Sequence, residues 1–234
     1  MRPITIPYVK GRRIGVTSDT HYGHRNIIGY CKRPWLYLHT DNRLLEAEGK
    51  PYVIPDEVLK AHDDALVERT NAVLGPDDIL IHAGDVAWGK DALTEYRRRL
   101  DVKTVYVAVG NHDDDDALVE VFGKDYVAER WMFEIHGPGG NRTLVVDHYP
   151  GHSWRDSHKA CVQLFGHVHG KLDRRHETNA GWLMSADAGV DSRDFRPWLW
   201  HEQISPMADS RRAAWQAWRD KTYDTPKEHG GMAR

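Results

Sequence analysis

From Arg13 to Ile135, short apolar runs rich in β-branched residues alternate with longer stretches in which apolar side chains recur every three or four positions. That alternation is the pattern of βα units rather than of an all-β or all-α domain. Arg13 to Ser18 reads as the first strand, too short for a helix and carrying Ile14 and Val16. A helix follows from Asp56 to Leu74, with Val58, Leu59, Ala65, Leu66, Ala72 and Val73 on one stripe; it opens after Pro55 and stops at Gly75-Pro76. Strand Ile79 to His82, helix Asp91 to Leu100, strand Thr104 to Val109 and helix Asp114 to Phe122 continue the series. The period then changes to two. Met132 to Ile135 and Thr143 to Asp147 flank the turn-forming Gly137-Pro138-Gly139-Gly140-Asn141 and predict a hairpin. Val162 to Phe165, Trp182 to Asp187 and Trp198 to Gln203 are three more expected strands.

Two segments break the pattern. Residues 31–55, with Arg33, Pro34, Trp35, Tyr37 and Tyr52, carry neither period, and an insertion of that length is expected to be a lid, a binding loop or a surface loop packed by its own aromatics. From Pro206 an amphipathic helix presents Trp215 and Trp218, followed by a polar tail from Thr225 to Arg234. The expected organisation is therefore one domain over 1–205, with 31–55 inserted in it, and a C-terminal helix and tail over 206–234.

Composition narrows the function. The 234 residues include 35 acidic and 32 basic side chains, a formal charge of −3. No global cationic field draws the chain to nucleic acid by neutralising many phosphates, although a local site remains open. Two cysteines, Cys31 and Cys161, cannot build a zinc ribbon or a disulfide framework, and no apolar run approaches the roughly 18 residues of a membrane span. The first thirteen residues lack the apolar core of a signal peptide. A cytoplasmic protein without a membrane partner is expected. The 15 histidines are the unusual count and direct attention to metal ligands.

Five clusters of such residues each fall where an expected strand ends: Asp19-Thr20-His21, Gly84-Asp85, Gly110-Asn111-His112-Asp113, His148, and Gly166-His167-Val168-His169. Sites in open α/β sheets assemble at the carboxyl ends of strands. Residues i and i+2 of an extended chain point the same way, so Asp19 with His21, and His167 with His169, can aim at one ion. Any one cluster recurs by chance; five in series at strand ends point to a metal site.

In this order, Asp19-x-His21, Gly84-Asp85, Gly110-Asn111-His112-Asp113, His148 and Gly166-His167-x-His169 resemble the motif set of the calcineurin-like metallophosphoesterase superfamily. Ser18-Asp-Thr-His-Tyr-Gly-His-Arg-Asn26 and Cys31-Lys-Arg-Pro-Trp35 also resemble its small bacterial and phage-encoded branch. The resemblance implies an α/β fold of two mixed β-sheets packed as a sandwich and flanked by helices, and a centre of two divalent metal ions. One ion would be held by Asp19, His21, Asp85 and His169, the other by Asp85, Asn111, His148 and His167, with Asp85 bridging. His112 matches the histidine that protonates the leaving oxygen. The expected chemistry is attack on phosphorus by a hydroxide shared between the ions, whose formation is favoured because binding to metal can lower the pKa of water from 15.7 to about 7.

The sequence also departs from the phosphoprotein phosphatase branch. Gly84-Asp85 continues as Val-Ala-Trp88 rather than to a second Asp and an Arg, and Gly-Asn-His is followed by Asp113 rather than Glu, so the carboxylate that would steer His112 is missing. Nothing in the sequence supplies the clustered arginines expected of a tight dianionic monoester pocket, and the resemblance to small stand-alone members implies diesterase activity, so a phosphodiester is the expected substrate, with 2′,3′- or 3′,5′-cyclic nucleotides candidates and Trp35, Tyr37, Trp154 and Tyr149 candidate stacking faces. His24, Arg25, Asn26 and Arg33 are candidate phosphate contacts. A nuclease on DNA or RNA ends, a phosphomonoesterase or pyrophosphohydrolase, and an inactive metal-bound scaffold are the alternatives. Asp, Asn and His ligands suit Mn²⁺ first, with Fe, Zn²⁺, Co²⁺ and Ni²⁺ also compatible.

Overall fold

The structure is a computed structural model and describes residues 2–172 and 184–223. Its strands form two five-stranded sheets among the described residues. In the first, β2 (Ile14–Thr17), β3 (Ile79–His82), β4 (Thr104–Ala108) and β5 (Val127–Ala128) run parallel, and β10 (Trp198–Leu199) pairs antiparallel with β2. The second has the order β1 (Ile4–Ile6), β6 (Arg130–Ile135), β7 (Arg142–Asp147), β8 (Val162–Phe165) and β9 (Ser185–Asp187); β6 and β7 are antiparallel and the other neighbours parallel. Both sheets are mixed.

The strand period decides what each sheet packs against. Ile79 and Ile81 face Phe133, Leu144, Val146 and Leu164 in the core between the sheets, whereas the intervening Leu80 joins Val105, Val107, Leu93 and Tyr96 beneath the helices. Full burial of such aliphatic side chains contributes about 1.5–3 kcal/mol each. The helix layer comprises α3 (Asp56–Asn71), α4 (Lys90–Arg99) and α5 (Asp115–Phe122). The N-cap of α5 is Asp114, whose carboxylate accepts the Ala117 N–H at 2.9 Å. A final helix, α6 (Ser205–Tyr223), buries Ala208 and Trp215 in the inter-sheet core. No described helix is long and apolar enough to cross a membrane.

Three expectations change. Trp198 to Gln203 is not one strand: β10 ends at Leu199, and Trp200–Ile204 is a π-helical turn leading into α6. Trp200 and Ile204, four positions apart, are both buried, and the Gln203 Oε1 reaches back to accept the Leu199 N–H at 2.8 Å. The period there is helical. The very short strands β1 and β5 carry no signal in the sequence, since two or three residues cannot show a period. The segment 31–55 is not structureless: a 3₁₀ turn (Pro34–Leu38) packs against α1 (Arg25–Tyr30) and α3 through Ile27, Ile28, Leu36 and Val58, and a short helix, α2 (Asn42–Ala47), follows it. The buried Asn42 amide closes it, donating to Leu36 O and Val53 O at 2.8 and 2.7 Å and accepting Val53 N–H at 2.8 Å. Of the expected strand Trp182 to Asp187, Ser185–Asp187 is observed, while Trp182 and Leu183 and the tail from Thr225 lie outside the described residues.

Candidate metal centre

The loops after β2, β3 and β4 in one sheet meet those after β7, β8 and β9 in the other. Backbone bonds continue beyond the strands, from Asp19 N to Gly84 O, from His21 N to Asp85 O and from Val190 N to Ser18 O, each at 3.0 Å. The price of bringing so many donors together is visible in the backbone. Asp19, His21, Asp85, His167 and His169 all have φ between 47° and 70°, where side chains other than glycine are uncommon, and such residues cost on the order of 1–3 kcal/mol each. Close approach needs glycine at Gly84 and Gly166. A Cβ on Gly166 would stand 1.9 Å from Ser18 Oγ and 2.4 Å from Asp19 Oδ2, and one on Gly84 2.7 Å from Gly110 N.

The Asp85 carboxylate lies between two sets of donors. Its Oδ2 is 3.4 Å from His21 Nε2 and 3.5 Å from His148 Nε2. On one side, single donor atoms of Asp19, His21 and His169 lie within 4.8 Å of one another, with His169 Nε2 3.8 Å from Asp19 Oδ1. On the other, Asn111 Oδ1 is 2.9 Å from His148 Nε2 and 2.8 Å from His167 Nδ1. All seven residues expected from the sequence are therefore brought together in two groups that share Asp85.

Neighbouring contacts aim these donors. His148 Nδ1 bonds Ala83 O at 2.9 Å, which makes Nδ1 the protonated nitrogen and leaves the Nε2 lone pair toward Asp85. His169 Nδ1 donates to Asp191 Oδ2 at 2.7 Å, a carboxylate–histidine pair of the kind that orients metal ligands. Burial disfavours the charged form of His169, but the bond to Asp191 and the nearby Cys31 and Asp19 outweigh it and raise its pKa to about 10. Burial pushes the Asp19 carboxyl up to about 6 although His169 draws it down. Burial, reinforced by the Arg33 charge, holds His21 far below the usual histidine range, so it is a neutral donor.

The donor set fits a cation. Asp19 and Asp85 are fully buried, and among the described residues no lysine or arginine pairs with either carboxylate. Buried carboxylates are costly unless a cation compensates them. The buried His21 Nε2 also lacks a hydrogen-bond partner. Oxygen and imidazole donors of this kind suit divalent first-row metals.

His112 stands at the open edge of the cluster, exposed, its ring 5.5 Å from that of His21 and 5.7 Å from that of Trp88. Among the described residues its ring makes no hydrogen bond or ion pair; its backbone N–H donates to Asp85 Oδ1 at 2.9 Å. Asp113, next in the chain, does not reach the ring. Its carboxylate accepts the N–H groups of Asp85, Val86 and Gly110, each at 2.8 Å, and thereby clamps the β3 and β4 loops together.

The four candidate phosphate contacts behave differently. His24 is buried, stacks on Trp88 with ring centroids 4.0 Å apart and planes at 9°, and burial lowers its pKa to about 4. Arg25 turns away to Ile54 O and Asp56, and Asn26 is exposed on α1. Arg33 is a correction to the sequence reading. It is buried, and all five of its N–H donors are taken, by Asp191 Oδ1 and Oδ2, Thr20 O, Asp19 O and His62 Nε2. It braces the Asp19 loop and has no donor left for substrate.

Of the four expected stacking faces, three are occupied. Trp154 is buried with Nε1 on Cys161 O, Trp35 packs edge-on to His62 and Phe195, and the Arg43 guanidinium lies over the Tyr37 ring, 4.8 Å from its centroid. Tyr149 is 49% exposed, with its ring 4.8 Å from that of His167. Sequence reasoning missed Asp191, the clamp at Asp113 and the exposed face of Trp88. The only local signal was the change from the usual Gly-Asp continuation to Val-Ala-Trp88.

The fold resembles a crystal structure of a protein of unknown function from Aquifex aeolicus, with a TM-score of 0.54 and 20% identity over 82% of this chain and 97% of that one. The sequence profile of the calcineurin-like phosphoesterases matches residues 12–225, and the chain belongs to that family. It is 28% identical over 139 residues to an uncharacterized protein of Methanocaldococcus jannaschii, a match covering 58% of this chain and 65% of that protein's length. It is also 25% identical over 221 residues to the Gene 66 protein of Mycobacterium phage D29, covering 83% of this chain and 92% of that protein.

Proposed function

We propose that this chain is a metal-dependent phosphodiesterase, with Asp19, His21, Asp85 and His169 holding one divalent ion, Asp85, Asn111, His148 and His167 the other, and His112 acting as general acid. The observation that carries the reading is the placement of Asp85 Oδ2 between His21 Nε2 and His148 Nε2, at 3.4 and 3.5 Å. A pair of bound divalent ions would supply Lewis-acid charge to a phosphoryl group and acidify a water between them.

The chain's own residues do the rest. Asp85 and Asn111 each present one oxygen to two histidines, while Asp191 and Ala83 O hold His169 and His148 in the orientation that frees Nε2. His112, exposed beside the cluster and with a ring that makes no hydrogen bond among the described residues, is positioned to give its proton to the oxygen that leaves phosphorus. General acids of this kind contribute about 10² to 10⁴ in rate. The preference for a diester rests on charge. Arg25 and Arg33, the first two arginines that follow the first motif, are both committed to protein acceptors, so neither neutralises the second charge of a monoester. Tyr149, exposed against His167, offers a face to a nucleotide, including a 2′,3′- or 3′,5′-cyclic one.

The test is a substrate panel after chelation and reloading with Mn²⁺, Fe²⁺, Zn²⁺, Co²⁺ or Ni²⁺, Mn²⁺ being the expected activator. Bis-p-nitrophenyl phosphate and cyclic nucleotides should turn over with higher kcat/KM than p-nitrophenyl phosphate. Faster monoester hydrolysis with every metal would reverse the assignment, and a preference for oligonucleotides with steep salt dependence would make the chain a nuclease. Metal binding without turnover of any ester would leave a binding scaffold.

A further inference from the structure

We propose that the cleft beside His112 is a leaving-group subsite and that it takes a flat aromatic group, a nucleobase or a comparable ring, on the exposed face of Trp88. The inference rests on the phosphodiesterase reading of the metal centre and adds to it which end of the substrate is recognised.

The cleft has a volume of about 250 Å³ and is lined by Trp88, Lys90, Leu93, His112, Asp114 and Ala117, among others. Trp88 is 50% exposed even though one of its faces is covered by His24 in a near-parallel stack. Exposure of that size on a stacked indole leaves the opposite side to solvent. Because His24 is itself buried, the stack holds the indole from behind rather than letting it swing. The polar groups at the rim are already used: Lys90 Nζ pairs with Glu120 at 2.6 Å, and the Asp114 carboxylate caps α5. What the cleft leaves for a ligand is the aromatic surface of Trp88 together with the aliphatic Leu93 and Ala117, which selects a planar apolar group over a charged one.

Position assigns the end of the substrate. During hydrolysis a water-derived oxygen joins phosphorus, the bond from phosphorus to the leaving oxygen breaks, and the His112 proton ends on that oxygen. Whatever that oxygen carries extends past His112, and the wall beyond His112 is this cleft, with the Trp88 ring centroid 5.7 Å from the imidazole. Tyr149 lies against His148 and His167 in the other group of donors, so its face does not serve the same end.

The experiment uses the metal-loaded protein and methyl p-nitrophenyl phosphate, whose leaving group is aromatic, with inorganic phosphate as a competitor that fills the metal centre alone. Stacking on a single base typically accounts for a change of about five- to a hundredfold in affinity. Trp88→Ala should raise KM by that factor while the inhibition constant for phosphate stays within twofold. Trp88→Leu, which keeps bulk against His24 without a π-face, should behave like Trp88→Ala, and Trp88→Phe should restore KM to within about threefold of the starting protein. If Trp88→Ala does not fold, the Leu and Phe variants decide between them. Unchanged KM in Trp88→Leu, or equal weakening of ester and phosphate, overturns the subsite while leaving the phosphodiesterase reading intact. A starting protein that hydrolyses no diester with any metal overturns both.

Discussion

Arg33 grips Asp191 through two hydrogen bonds, Nε to Oδ1 at 3.0 Å and Nη2 to Oδ2 at 2.9 Å, and the same Oδ2 accepts the His169 Nδ1–H at 2.7 Å. A residue of the insertion thus sets the orientation of a histidine in the candidate metal centre, from the far end of a buried relay. The segment 31–55 acts as a brace.

Arg33→Lys should therefore weaken metal binding, because a single ammonium cannot replace a fork whose five donors hold Asp191, His62 and the Asp19 and Thr20 carbonyls. Loss of such outer contacts typically lowers metal affinity about 10- to 100-fold. Arg33→Met should also destabilise the fold by about 3–5 kcal/mol by removing one partner of the buried Arg33–Asp191 ion pair. Metal titration by calorimetry and thermal unfolding of the metal-free protein measure the two effects; unchanged affinity in Arg33→Lys would refute the relay.

Asp85→Ala and His112→Ala should separate. Asp85 lies between both groups of donors, so its loss should abolish turnover along with one equivalent or more of bound metal. His112→Ala should retain metal and lose about 10² to 10⁴ in kcat, with the smallest loss on esters whose leaving group needs no proton. Metal content by elemental analysis and rates on p-nitrophenyl and alkyl esters make the comparison. Equal and complete loss in both metal-loaded variants would remove His112 from its assigned role.

Stability should fall on acidification partly through His82. This fully buried ring accepts the Gly84 N–H on Nδ1 at 3.2 Å and bonds Thr20 Oγ1 through Nε2 at 3.0 Å, and burial lowers its pKa to about 3. Above the unfolded-state value of 6.5 the ring is neutral in both states and costs nothing. Between pH 6.5 and 3 the unfolded chain takes up a proton that the folded chain refuses, so stability declines over that window. His82→Asn, which keeps an acceptor for Gly84, should show a shallower decline in urea unfolding measured from pH 7 to 4.

Gly166→Ala should be among the most damaging single-methyl changes in the chain. The added Cβ would meet Ser18 Oγ at 1.9 Å and Asp19 Oδ2 at 2.4 Å, and both belong to the loop that carries the first motif. Overpacking of this kind costs about 1–3 kcal/mol and occasionally more. A melting temperature and a metal-binding isotherm equal to those of the unsubstituted protein would show that the loop relaxes freely.

Much of the candidate centre was legible along the chain because its candidate donors sit at strand ends, and strand ends are marked locally. Gly84-Asp85 and Gly166-His-x-His169 announce both a turn and a donor within a few residues. The role of Arg33 was not legible, since its partner Asp191 lies 158 positions away and nothing local distinguishes a buried guanidinium from one that waits for phosphate. The same limit hid the fate of the aromatics. Trp35 and Trp154 are as aromatic as Trp88 and Tyr149, but only burial tells them apart.

What the sequence determined by itself is the alternation of elements, from the periods 2 and 3.6, and the chemical identity and order of the donors. Only the tertiary structure decided that Asp85 stands between two groups, that Arg33 and Asp113 hold loops instead of substrate, and that Trp88 keeps a face open beside His112. The physical reason is range: periodicity and turn chemistry act between near neighbours in the chain, whereas burial, charge compensation and access to solvent are set by residues that meet only when the two sheets close.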